Sequence, residues 1–161
     1  SAELAALGGV VVRCPPEELA ERILQELTQR GIRCVQTWDE ARLPDGLLKA
    51  LRENGIQTQR EPDPQIQVGL TGALAGVAES GALMLPGGVE QPLTASLLPE
   101  VHLAVLREAD ILPSLPQALR LPSVREASAV ALISGPSRTA DIEMTLTIGV
   151  HGPKELLVYL C

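Results

Sequence analysis

The 161 residues are 45% hydrophobic and 20% charged, which is globular composition and not that of a disordered tail. A net charge of −7, from 13 Lys and Arg against 20 Asp and Glu, argues against a broad basic face for nucleic acid or anionic lipid. One Trp, one Tyr and no Phe argue against a base-stacking platform, so the core must come from Leu, Val, Ile and Ala.

This length suits one domain, able to bury roughly 70% of the surface its unfolded chain exposes. Cys14, Cys34 and Cys161 are scattered, odd in number and without a CxxC pair. They read as free thiols in a reducing compartment, with no metal and no cofactor expected. No apolar run reaches the roughly 20 residues that span a bilayer, and no signal peptide is visible. The expected location is the cytoplasm, with neither a membrane nor a nucleic acid as partner.

Val10, Val11 and Val12 form a β-branched run and predict a strand. Pro15, Pro16, Glu17 and Glu18 then open a helix carrying Leu19, Ile23, Leu24 and Leu27 at helical spacing. Residues 32–35 read as a second strand, 39–43 as a turn, 44–53 as a helix and 56–58 as a brief strand. This alternation implies βαβ units and a mainly parallel sheet. The run Glu61-Pro62-Asp63-Pro64 is a stiff hinge before the second half.

Beyond it, residues 66–70 read as a strand, and the small residues of 71–78 as a tight turn into a short helix. Glu79-Ser80-Gly81 is a turn, 82–85 a strand, 93–98 a helix and 101–106 a strand. Residues 112–119 read as a helix and 129–133 as a buried strand. Residues 140–148 read as a helix, and 155–160 as the last strand.

Three stretches carry candidate chemistry. The loop Ser134-Gly135-Pro136-Ser137-Arg138-Thr139 is expected between a strand and a helix, beyond a strand's carboxyl end, where open α/β sheets bind ligands. There Ser137 and Thr139 would cap the helix or hold an anion, and Arg138 offers a planar charged fork for a carboxylate or phosphate. Asp141 and Glu143 would orient Arg138 or act as acid or base. The alternative is a well-capped surface loop. Thr71 and Gly72 begin a second glycine-containing turn that would let backbone approach a ligand, though it matches neither a P-loop nor a dinucleotide fingerprint. Glu79 reads either as a nucleophile or base, or as a solvent-facing turn residue. His151 comes after the expected helix, where a cation is favoured or a ligand contact is made. His102, at the start of an apolar strand, reads as structural.

Four segments together resemble a known family. They are 69–83 (GLTGALAGVAESGAL), 96–102 (SLLPEVH), 134–143 (SGPSRTADIE) and 149–154 (GVHGPK). In this order they resemble the lactate utilization protein C family of LUD-domain proteins, over roughly residues 66–161, with residues 1–65 fitting loosely. The resemblance implies one three-layer α/β/α domain with a mainly parallel sheet, similar to the NagB/RpiA/CoA-transferase-like fold. It also implies a part in oxidising L-lactate to pyruvate beside iron–sulfur partner proteins. Related enzymes of that fold use a glutamate near a glycine-containing turn against CoA thioesters, which raises Glu79, although Ser80 stands where Asn is usual. Two functions are expected from this. One is a subunit or accessory protein of lactate oxidation that binds a small carboxylate or a partner. The other is an independent enzyme on an acyl-CoA, phosphorylated or folate-like anion using Glu79 and Arg138.

Overall fold

Leu19, Ile23 and Leu27 recur one helical turn apart, and in the computed structural model they form the buried stripe of a helix. Residues 2–140, 146–148 and 152–161 are described. The helix α1 (Ala2–Ala6) has no counterpart among the expected elements; after it the first half alternates as its sequence predicts: β1 (Val10–Arg13), α2 (Leu19–Gln29), β2 (Cys34–Thr37), α3 (Leu47–Glu53) and β3 (Gln57–Gln59). The second half runs β4 (Val68–Gly72), β5 (Ala75–Val77), β6 (Ala82–Gly87), α4 (Thr94–Leu97), β7 (Val101–Leu106) and β8 (Ile111–Leu112). It continues with α5 (Leu115–Ala118), α6 (Pro122–Glu126), β9 (Ala129–Ile133), β10 (Arg138–Ala140), β11 (Leu146–Ile148) and β12 (Glu155–Leu160).

Six strands form a wholly parallel central sheet in the order β1-β12-β7-β4-β2-β3. Its register aligns Gln36, Gly69, His102 and Leu156 across four strands, so these residues share one face. The tight approach of α4 to Gly69 places that helix on this face. On the opposite face, α2 packs with α3, and Arg30 just past α2 bonds Glu155 of β12 at 2.8 Å. The core between these layers is aliphatic, as the composition requires, with Leu70, Leu103 and Leu156 nearly inaccessible. Its one Trp and one Tyr, Trp38 and Tyr159, are both buried. A second sheet, β8-β5-β6-β9, carries its own small cluster of Ala75, Val77, Ala82, Met84 and Ala118.

The expected α/β fold with a mainly parallel sheet is what forms. Four expectations in the second half need correction. Residues 71–78 make no helix: β4 runs to Gly72, and residues 75–77 are a strand paired antiparallel with β6. Small residues suit that strand because Gly76 lies against Leu106, where a Cβ would come within 2.7 Å of Cδ2. The helix expected over 112–119 is interrupted at Pro113, which separates β8 from α5. Its shortened remnant α5 carries Pro116 in its first turn, a helix-start signal. The strand 129–133 is not buried but half-exposed, since β6 is its one neighbour in the sheet among the described residues. The helix expected over 140–148 fails at both described ends. Arg138–Ala140 pairs antiparallel with Leu146–Ile148, and residues 141–145 lie outside the described residues. The β-branched Thr139, Thr147 and Ile148 favour that pairing over helix.

Among the described glycines, Gly69 has the tightest surroundings. A Cβ there would fall 1.7 Å from the Ala95 carbonyl oxygen, a backbone atom that cannot swing aside. Gly69→Ala must therefore lift α4 from the sheet. It is expected to cost about 3 kcal/mol or more, read as a lowered urea midpoint at unchanged slope. A midpoint equal to that of the parent would show that α4 is not pinned there.

Candidate functional site

The loop residues 134–137 do not lie beyond the carboxyl ends of the parallel sheet. Ser137 N–H donates to Pro153 O at 2.8 Å, and Pro153 stands two residues before β12 begins. Gly152 packs on the same residue, since a Cβ at Gly152 would come 3.0 Å from Ser137 Cβ and 4.0 Å from Leu97 O. Lys154 N–H donates to Glu100 O at 2.7 Å, and its ammonium meets the Glu100 carboxylate at 2.8 Å. Glu100 immediately precedes β7. The loop thus sits at the amino end of the sheet. The loop leads into β10, so Ser137 and Thr139 have no helix to cap.

The Glu79 turn leaves the same end of the second sheet as this loop. The β6–β9 register, Leu83 opposite Ile133, brings Gly81 opposite Gly135 when continued by two residues. Both glycines have positive φ, 63° and 134°, and both lie against α1 and the residue after it. A Cβ at Gly81 would lie 2.5 Å from Leu4 N, and one at Gly135 2.8 Å from Leu7 O. Glu79 itself is exposed. Its Oε1 accepts the Leu115 N–H at 2.8 Å, satisfying a donor in the first turn of α5.

Thr71 and Gly72 are placed elsewhere. Thr71 is fully buried, and its hydroxyl lies 2.8 Å from His102 Nε2. The side chain of Gln36 donates to Thr94 Oγ1 at 3.0 Å, and Ser96 Oγ donates to Leu93 O at 2.8 Å. This forms a buried polar seam between the sheet and α4. Burial pushes the His102 imidazole down to about 3, so it is neutral at physiological pH. Among the described residues, His102 Nδ1, Gln36 Oε1 and Thr37 Oγ1 have no hydrogen-bond partner. Gly72, at the far end of β4, lies against the Trp38 ring and Arg42 O. The Thr71–Gly72 stretch and Ser137 therefore stand at opposite ends of the parallel strands. Arg138 and Thr139 are described as strand backbone only, and Asp141 and His151 lie outside the described residues.

A crevice with no signal in the sequence motifs opens at the carboxyl end. The chain leaves β2 toward β3 but leaves β4 toward β7, so the connections diverge between these neighbouring strands. Such a switch point opens a crevice in a parallel sheet. A cleft of about 370 Å³ lies there, lined by Arg42, Leu74, Gly87, Gly88, Glu90 and Glu126 among others. Arg42 Nε donates to Glu90 Oε2 at 2.8 Å across it. Gly87-Gly88 marks a flexible loop in the sequence, but nothing in the sequence ties that loop to Arg42.

These motifs have relatives. The description of one family, the LUD domain, matches residues 1–161. The chain belongs to the LUD domain family. It is 33% identical to a lactate utilization protein C of Halalkalibacterium halodurans over 152 residues, covering 85% of this chain and 65% of that protein. It is 34% identical to a protein of the same name from Anoxybacillus flavithermus over 149 residues, covering 91% of this chain and 60% of that one. The chain thus spans less than two-thirds of these relatives' length. A crystal structure of a DUF162 family protein from Deinococcus radiodurans shares the fold, with a TM-score of 0.76 at 23% identity, covering 99% of this chain and 92% of that one.

In this LUD domain the four sequence segments are neighbours. Gly69 touches the 95–99 stretch, Thr71 meets His102, and Ser137 meets Gly152 and Pro153. Among the described residues no group of three His, Cys, Asp or Glu is placed to hold a metal ion. The His102 pair has a titration signature. Its pKa is depressed on folding, so between about 6.5 and about 3 the unfolded chain takes up a proton that the folded chain refuses. Stability is therefore expected to fall as pH drops through that window, by at most about 1.4 kcal/mol per unit. The His102→Gln variant, which keeps a partner for Thr71, should show a flatter dependence in urea midpoints taken from neutral pH down to pH 4. An unchanged slope would remove His102 as the cause.

Proposed function

We propose that this LUD domain serves lactate utilization as a subunit or accessory protein, binding a small carboxylate or a partner protein at the surface around residues 134–139 and 152–154. The observation that carries this is the match to lactate utilization protein C across 85% and 91% of the chain. The junction of Ser137 with Gly152 and Pro153 supports the location, because it gathers two of the most distinctive segments into one surface. In this reading Arg138 holds the carboxylate through its planar fork, with Asp141, Thr139 and His151 as further contacts. Oxidising a 2-hydroxy acid to a 2-oxo acid removes two electrons and two protons. The reading assigns their acceptor to iron–sulfur partner proteins, since the three cysteines here match no cluster spacing. It places the system in the cytoplasm. Among the described residues no helix is long and apolar enough to cross a membrane.

The test is reconstitution of lactate oxidation with and without this protein, together with binding of lactate and pyruvate. Omission should abolish or sharply reduce turnover, and Arg138→Ala should weaken carboxylate binding by about 10- to 100-fold. Unchanged oxidation on omission would end the reading. Loss of binding in Arg42→Ala with Arg138→Ala unaffected would move the ligand to the carboxyl-end crevice.

A second reading makes the protein an enzyme on an acyl-CoA, phosphorylated or folate-like anion, with Glu79 as nucleophile or base. It is favoured by the exit of the Glu79 turn and the 134–137 loop from the same end of the second sheet. The Glu79→Gln variant keeps an oxygen to accept the Leu115 N–H while removing the carboxylate. Turnover of such a substrate should then fall by orders of magnitude, and full turnover would dispose of this mechanism.

A further inference from the structure

β1 and β12 are parallel neighbours whose last paired residues are Arg13 and Leu160, and the next residue of each is a cysteine. The β1–β12 ladder reaches Cys14, whose N–H donates to Leu160 O at 3.1 Å, and the β12–β7 ladder reaches Cys161, whose N–H donates to Leu106 O at 3.1 Å. Register partners on adjacent parallel strands carry their side chains on the same face. Here that face is the one under α2. Cys14 is buried there and Cys161 half-buried. The Cys14 thiol is pushed up first by its burial and next by the charge of Cys161, which places the two within electrostatic reach.

Neighbouring strands stand about 4.8 Å apart. A disulfide spans Cα atoms about 4.4–6.8 Å apart, a range this spacing also meets, so a pair that oxidises to a disulfide and takes up no cation would overturn the reading that follows. Two sulfurs on either side of one ion, each about 2.3 Å from it, are about 4.5 Å apart, which this spacing does supply. Cys161 Sγ donates weakly to Leu106 O on β7, at 3.8 Å, so binding a shared cation requires it to turn toward β1.

We propose that Cys14 and Cys161 form a two-thiolate site for a soft monovalent cation of the Cu(I) class. Two thiolates with no third donor suit a linear d10 ion, and soft sulfur ligands select Cu(I) over hard cations. Zn2+ would need two further ligands, and no third His, Cys, Asp or Glu joins the pair among the described residues. Burial raises the Cys161 thiol, and the Arg107 guanidinium offsets part of this by favouring the negative charge that the anionic complex requires. Binding replaces two S–H bonds by two S–Cu bonds and releases two protons, with no electron transferred.

The test is anaerobic titration of the whole protein with Cu(I), supplied as its acetonitrile complex and read by competition with bicinchoninate. One equivalent should bind tightly, with a sulfur-to-copper charge-transfer band in the ultraviolet. Cys161→Ser, at a half-buried position, should keep the fold by circular dichroism and lose affinity by about 100-fold or more, beyond what loss of an outer-shell partner costs. Cys34→Ser should bind as the parent does. Retention of full affinity in Cys161→Ser, or its loss in Cys34→Ser, would overturn the site. So would binding of Zn2+ in preference to Cu(I). Because Cys14→Ser alters a buried position, its expected loss counts only where its thermal transition matches that of the parent. A matched Cys14→Ser protein that still binds would also overturn the site.

Discussion

The closest approach at any described glycine is one that an absent side chain permits. At Gly69 the backbone of α4 lies directly on β4, at a distance no Cβ would tolerate. Three features depend on it. The helix covers a largely buried polar seam of Gln36, Thr94, Ser96, Thr71 and His102. It positions Leu97 against Gly152, and through it the loop at Ser137. It also sets the stretch that leads into Glu100, whose carbonyl accepts from Lys154 and Glu155 at the start of β12. Helix, seam and loop junction are thus mutually braced, and the amino end of the sheet takes its shape from one small residue.

The core explains why such close backbone contacts are needed. With one Trp, one Tyr and no Phe, little volume is available to fill wide gaps. Leu, Val and Ile must interdigitate across thin layers, and glycines let those layers approach. Both large aromatics are buried. Trp38 closes the carboxyl end beside Gly72 and donates its indole N–H to Pro92 O, while Tyr159 fills the face under α2. The buried His102 fits the same economy of space. Its neutral ring packs as an apolar plate and spends one nitrogen on Thr71.

The two ends of the sheet divide the candidate chemistry. At the amino end the family-marking segments meet on a surface formed by loops, where Ser137, Gly152 and Lys154 are neighbours. At the carboxyl end, diverging connections from β2 and β4 open a cleft around an exposed Arg42–Glu90 pair that ordinary surface screening leaves weak. Sequence pattern alone puts the Ser137 loop at the carboxyl end, because 129–133 reads as a strand of the parallel sheet. That strand instead pairs with β6 in the second sheet.

What the sequence by itself determined was local: the apolar period of α2, the β-branched run of β1, the apolar run of β7, the alternation of the first half, and the ordered motifs that mark a LUD domain. These signals are carried by residues near one another in the chain, where helical spacing and β-propensity act. What only the tertiary structure decided was partnership. The small residues of 75–77 are a strand because β6 offers an edge, and Arg138–Ala140 is a strand because Leu146–Ile148 lies beside it. Thr71 became a core residue when His102 was placed one strand away. Cys14 and Cys161, at opposite ends of the sequence, became neighbours because β12 inserts between β1 and β7. Short strands of small or mixed residues carry almost no period of their own, so their state is set by non-local hydrogen bonds that no local pattern records.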